Sequence, residues 1–238
     1  MASMTVLALH AHPDDIEILA GGTMALLRER GHRVVMATMT PGDLGSMDKP
    51  AHEIASIRRA EAAASAALIG AEYRCLEFRD MSIFSDDASR RRVTEFLRSA
   101  KPDVIFTSSP ADYLCDHETT SRLARDACFA ATIPNYETGS APLSKIPHLY
   151  FMDPIDEFVT PDLWVDVTLV FETKRAMLAQ HGSQGDWLSK QHGMDDYLAQ
   201  MERWAREKGE RAGCKYAEGF RQHKVHPFPQ TPGFDLSR

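Results

Sequence analysis

The chain has 238 residues, 43% hydrophobic and 26% charged, a balance that suits one α/β domain with a buried core. Its formal net charge of -7, with no basic stripe, argues against a nucleic-acid partner. No apolar run reaches the ~20 residues of a membrane span, and four scattered cysteines without Cys-x-x-Cys spacing read as reduced thiols, so a cytoplasmic protein with no membrane partner is expected.

A first strand is predicted over about 5–10, carried by the apolar run Val6-Leu7-Ala8-Leu9, and it leads into His12-Pro13-Asp14-Asp15. One imidazole and two adjacent carboxylates after a strand offer both a metal site and a base. His12 and Asp15 are spaced to turn back onto one ion, Pro13 stiffens the turn by fixing φ, and Asp14 is left to take a proton. An Asp-rich helix cap is the plainer reading, but capping needs neither the His nor the Pro. A helix follows over 18–30, ended by Gly31, and its positive end favours ionised carboxylates. Further strands are expected over about 33–40, 73–78, 104–108 and 148–152. Between them lie helices over 52–69, stopped by Gly70, then 90–99 and 118–131. The cluster Arg90-Arg91-Arg92 reads as a solvated helix start. This alternation predicts an α/β, Rossmann-like, mostly parallel sheet with helices on both faces. Beyond it a helix is expected over 170–181, a break at Gly182-Ser183-Gln184-Gly185, a polar helix over 195–208, and a Pro- and aromatic-rich tail around 226–229. The expectation is one domain over 1–238, with a core at about 4–155. A C-terminal helical and Pro-rich extension, about 156–238, would wrap the sheet or line a pocket rim.

If the strands follow the common doubly wound order 3-2-1-4-5, strands 1 and 4 are neighbours and the crevice beyond their ends is the ligand site. The segment after strand 4 contains Asp112, Tyr113, Leu114, Cys115, Asp116 and His117. His117, just before a predicted helix, is the expected third ligand, against a plain capping histidine; Cys115 competes as a soft ligand. Two imidazoles, one carboxylate and an open position match catalytic zinc, and iron, cobalt or nickel also suit such a set. A nucleotide-binding reading is weaker, because Gly21-Gly22 lacks Gly-x-Gly-x-x-Gly and carboxylates repel a pyrophosphate. No Gly-x-Ser-x-Gly elbow supports a serine hydrolase.

The chain resembles the PIG-L/LmbE-like zinc-dependent N-deacetylases. The resemblance runs through Ala11-His12-Pro13-Asp14-Asp15, Gly21-Gly22-Thr23, the loop 40–46, Arg58 with Glu61, Asp80, Asp116-His117, and Lys174 ahead of His181-Gly182-Ser183-Gln184. It implies His12, Asp15 and His117 as zinc ligands and Asp14 as general base. It also implies Arg58 near substrate or acetate and Asp80 as a sugar contact, although Arg58 and Glu61 also have helix-pair spacing. The family's second motif is His-Pro-Asp-His, and its first histidine falls here on Leu114. His181 is the first candidate to replace it as a catalytic group, followed by His192 and His223. Tyr113 is a candidate to bind the substrate oxyanion, and Trp187 to stack on a sugar. The expected activity is metal-dependent hydrolysis of an N-acetyl amide on an amino-sugar substrate such as an N-acetylglucosamine conjugate. The alternative is a sugar-binding protein that keeps the metal but has weak or no turnover. Specificity would come from loops 41–51, 133–147 and 182–194. Assembly into a homo-oligomer through the C-terminal helix and tail is also open.

Overall fold

The structure is a computed structural model and describes residues 3–155, 160–194 and 196–235. Its five parallel strands are β1 (Thr5–His10), β2 (Arg33–Thr38), β3 (Glu72–Cys75), β4 (Val104–Thr107) and β5 (His148–Met152). They lie in the order 3-2-1-4-5, as the alternation of strands and helices predicts. Along β1, Val6 and Ala8 face one core while Leu7 and Leu9 face the other. A strand buried on both sides must be apolar throughout, which explains the unbroken hydrophobic run.

The helices are α1 (Asp15–Glu29), α2 (Ala51–Leu68), α3 (Asp87–Ala100), α4 (Cys115–Ala130), α5 (Phe171–Leu178), α6 (Gly182–His192) and α7 (Tyr197–Ala212). One core packs residues of α1, α5 and α7 against the sheet, and the other packs α3 and α4. The chain winds outward from β1 to β3, then crosses back to β4 beside β1. Right-handed crossovers therefore put the two sets of helices on opposite faces, and a crevice opens beyond β1 and β4. Among the described residues no helix is long and apolar enough to cross a membrane.

The region after 155 differs from its expectation. Two strands, β6 (Leu163–Asp166) and β7 (Ala217–Gln222), extend the sheet to seven, with β7 antiparallel to both β5 and β6. The expected break at Gly182 is instead the start of α6, because Glu61 accepts hydrogen bonds from the Ser183 N–H at 2.8 Å and from its Oγ at 2.6 Å. Glu61 is thus a partner of α6 rather than of Arg58. The tail packs Phe228 into the core and Phe234 against Phe106 and Tyr150, and none of its described residues lines the main cavity.

One buried ion pair reaches into the middle of α1. Lys174 and Glu218 are 2.5 Å apart and almost fully buried. The Lys174 ammonium donates to the Ile18 carbonyl at 2.7 Å, and the Glu218 carboxylate accepts the Gly22 and Thr23 N–H groups at 2.8 and 2.7 Å. Those are the donors that an unbroken helix directs to Ile18 and Leu19. Gly22 permits this, since a Cβ there would lie 2.7 Å from Val167. Lys174, one of the residues carrying the resemblance, therefore supports α1 from below.

Candidate active site

The turn after β1 places its polar groups through a costly conformation. Asp14, the N-cap of α1, has φ of 101°, a left-handed backbone for a residue with a Cβ. Such a conformation costs about 1–3 kcal/mol and persists only where its surroundings impose it. Arg58 supplies one restraint: its guanidinium donates to the Pro13 carbonyl at 2.7 Å and approaches Asp14 Oδ1 at 3.4 Å. Tyr197 Oη supplies another by donating to Asp14 Oδ2. Arg58 itself lies under the loop after β2, where a Cβ on Gly42 or Gly45 would come within 2.6 or 2.4 Å of its guanidinium. These two glycines allow the loop to lie flat on a buried arginine, so packing on Arg58 requires them.

His12, Asp15 and His117 converge. His12 Nδ1 lies 3.5 Å from Asp15 Oδ2 and 3.3 Å from His117 Nε2, and the third side, His117 Nε2 to Asp15 Oδ2, is 3.5 Å. Ligands about 2.0–2.1 Å from a tetrahedral ion are about 3.3–3.4 Å apart, so the triangle fits one ion. The outward-facing ring nitrogens are held by carboxylates. His12 Nε2 donates to Asp116 Oδ2 at 3.1 Å, and His117 Nδ1 donates to Asp112 Oδ1 at 2.9 Å. That tautomer choice leaves two imidazole lone pairs and a carboxylate oxygen facing one another, an arrangement that calls for a cation. Burial opposes charge on His12, yet Asp116, Asp15 and Asp80 outweigh it and push its pKa up to about 10. Asp15 and His117 lie inside the first turns of α1 and α4 rather than ahead of them.

His10 also lies close to Asp15 and His117. Its Nδ1 is only 2.7 Å from Asp15 Oδ2, a hydrogen-bond distance too short for two ligands of one ion. It is fully buried beneath the triangle, whereas His12 lines the cavity. The geometry makes His10 the group that orients Asp15.

A cavity of about 600 Å³ opens over these residues, lined by His12, Asp14, Asp15, Arg58, Asp80 and His117 on its polar side. Burial is the largest influence on Asp14 and, with Arg58 opposing it, pushes the carboxyl up to about 6. The helix end therefore does not dominate there, contrary to the expectation from helix polarity. Asp15 behaves oppositely: burial is outweighed by His10 and His117, which hold it well below the usual carboxylate range. Asp80 Oδ2 accepts the Leu44 N–H at 2.9 Å, while its Oδ1 has no hydrogen-bond partner among the described residues. Tyr113 and Leu114 are on the rim, the Tyr113 ring 5.3 Å from that of His117.

The histidine candidates separate clearly. His181 is buried, its Nε2 3.1 Å from Glu17 Oε1, and it is not among the described residues lining the cavity. It acts electrostatically on Asp14 from behind. His192 is at the cavity mouth against Trp187. His223 is packed against Phe151 and Phe228, away from the site. Cys115 is exposed at the start of α4, with Sγ 4.0 Å from Asp116 Oδ1. His10 and Tyr197 were not singled out from the sequence as supports, and Asp112 and Asp116 were marked there only as neighbours of His117. The acidic residues flanking His117 were a usable signal, and Tyr197 offered none.

The family model for PIG-L, described as GlcNAc-PI de-N-acetylase, matches residues 7–128, just over half of the chain and the part that holds every residue of the triangle. The chain belongs to the PIG-L family. It is 27% identical over 230 residues to the diacetylchitobiose deacetylase of Thermococcus kodakarensis, spanning 91% of this chain and 82% of that protein. A solved PIG-L-like structure, the N,N'-diacetylchitobiose deacetylase of Pyrococcus horikoshii, superposes with a TM-score of 0.81 at 29% identity, covering 96% of this chain and 88% of that one. A 4-oxalmesaconate hydratase of Pseudomonas putida is 26% identical over 185 residues, 73% of this chain and 71% of that protein.

Proposed function

We propose that this chain is a metal-dependent deacetylase that removes the N-acetyl group from an amino-sugar substrate. The observation that carries this reading is the triangle of His12 Nδ1, Asp15 Oδ2 and His117 Nε2 with Asp14 beside it on the floor of one cavity. A divalent ion held by those three residues, zinc by its donor set, would supply Lewis acidity toward the amide carbonyl and a more acidic water. Asp14 then takes the proton of the attacking water. Its carboxyl, pushed up to about 6, is ionised at neutral pH yet basic enough for that task. Arg58 and Tyr197 keep the carboxylate aimed. Because Leu114 brings no proton donor where the family motif has a histidine, Asp14 returns the proton to the departing amine. Tyr113 is the side-chain donor offered to the acyl oxygen, and Asp80 Oδ1 the acceptor for a substrate hydroxyl. His181, paired with Glu17 behind Asp14, is a positioning residue in this scheme.

The hydratase relative makes water addition to an oxo-acid a second reading, and Leu114 favours it by removing an acid that amide cleavage would use. The cavity opposes it: Arg58 is the sole Lys or Arg among the described lining residues and is already committed to Pro13 and Asp14. A polycarboxylate would meet Asp14, Asp15 and Asp80 instead. Four unpaired thiols suit a reducing, cytoplasmic setting.

Acetate and amine release from N-acetylglucosamine and diacetylchitobiose tests the proposal. Turnover should vanish after chelation and return with added zinc. Undiminished turnover in metal-stripped protein, or no amine from these two substrates or from octyl N-acetylglucosaminide with metal loaded, would end it. Asp112→Ala should weaken metal binding by about 10–100-fold through loss of the group that orients His117. Competition against a chromophoric chelator measures this, and an unchanged affinity would remove Asp112 from that role.

A further inference from the structure

The cavity has a second wall that the reaction scheme does not use. Ile18, Ile155, Leu188, Met194 and Trp204 line it, with Trp187 at its edge. The first five belong to the partly buried margin of the larger core, so this is core surface that the described residues leave uncovered inside the active-site cavity. It is continuous with the chemistry. Ile18 lies one turn along α1 from Asp15, and Trp204 lies two turns along α7 from Tyr197, about 10 Å away. The wall is also loosely backed: three smaller voids of about 10, 50 and 10 Å³ all share Ile155.

We infer that the substrate carries an apolar group, an alkyl chain or an aryl ring, on one side of the scissile amide, and that this wall binds it. The inference rests on the deacetylase reading and narrows its substrate class. A sugar buried here would leave its hydroxyls facing four aliphatic side chains that offer them no partner, which disfavours a purely polar oligosaccharide. Each methylene buried instead is worth about fourfold in affinity. The two tryptophans alone would suit a sugar face, but Ile18, Ile155, Leu188 and Met194 surround them.

Two pairs of substrates test this with zinc-loaded protein: methyl against octyl N-acetylglucosaminide, and N-acetyl- against N-octanoylglucosamine. At least one octyl member should exceed its short counterpart by ~30-fold or more in kcat/KM, chiefly through KM. The pair that responds tells whether the apolar group is on the amine or the acyl side. In Ile155→Asn and in Trp204→Ala the ratio should fall toward one. No gain from either chain, or an equal gain from diacetylchitobiose, would overturn the inference. Calorimetry with octyl glucoside below its micelle concentration separates the wall from the reaction, because that ligand has no amide. Saturable binding that Ile155→Asn abolishes supports the wall even if no amide is cleaved. Absence of binding in a protein that hydrolyses N-acetyl sugars refutes it.

Discussion

Asp14→Asn is expected to lower kcat by about 100-fold to 10,000-fold with metal content unchanged. Asparagine is the informative replacement because it tolerates the left-handed backbone that Asp14 adopts at φ 101°. Its amide oxygen still accepts from Tyr197, so the turn survives while the capacity to take a proton is lost. Asp14 is not a member of the metal-facing triangle, and zinc stoichiometry should therefore match that of the unmodified chain. The expected pattern is a loss in kcat with little change in KM, since the proton moves only as the bond forms. Near-normal turnover in zinc-loaded Asp14→Asn would assign the base elsewhere, and a parallel loss of zinc would mean that Asp14 holds the site together.

Lys174→Met is expected to destabilise the fold by about 3–5 kcal/mol, the cost of leaving a buried carboxylate without its cation. The Lys174–Glu218 pair differs from an ordinary internal ion pair in what it touches. Its ammonium and carboxylate satisfy the Ile18 carbonyl and the Gly22 and Thr23 N–H groups of α1. Replacing both charges with apolar residues should therefore remain destabilising, because three helix backbone groups lose their side-chain partners. The urea midpoint of Lys174→Met and of the Lys174→Met/Glu218→Leu double variant reads this directly. A double variant as stable as the unmodified chain would show that the ladder of α1 closes without help.

Within the parallel half of the sheet β1, β2, β4 and β5 were legible because each is almost wholly buried and written as a short apolar run, whereas β3, Glu72-Tyr73-Arg74-Cys75, is a partly exposed edge strand with two charged residues. β7 was not legible, for a physical reason. Its sequence Ala217-Glu218-Gly219-Phe220-Arg221-Gln222 spends an inward-facing position on a carboxylate whose cation comes from a distant helix. A buried charge looks like a loop until its partner is known. α6 was hidden for a similar reason, since the Glu61 carboxylate that caps its start comes from α2. At the site, local turn chemistry exposed His12, Asp14 and Asp15, and the strand order led to His117. Tyr197 escaped because it reaches Asp14 from 183 residues away on a helix whose aromatic residue reads as ordinary core. The alternative pairing of Arg58 with Glu61, which their spacing allows, is not formed, as each finds a partner outside its own helix.

The clamp on α1 links segments far apart in the chain: Glu218 grips Gly22 across 196 positions. A ribosome making this protein releases the His12 and Asp15 segment about 200 residues before Glu218, and the helix that presents Asp15 is secured only when β7 emerges. Nascent chains, and copies clipped before residue 218, should therefore hold metal poorly although they possess every ligand.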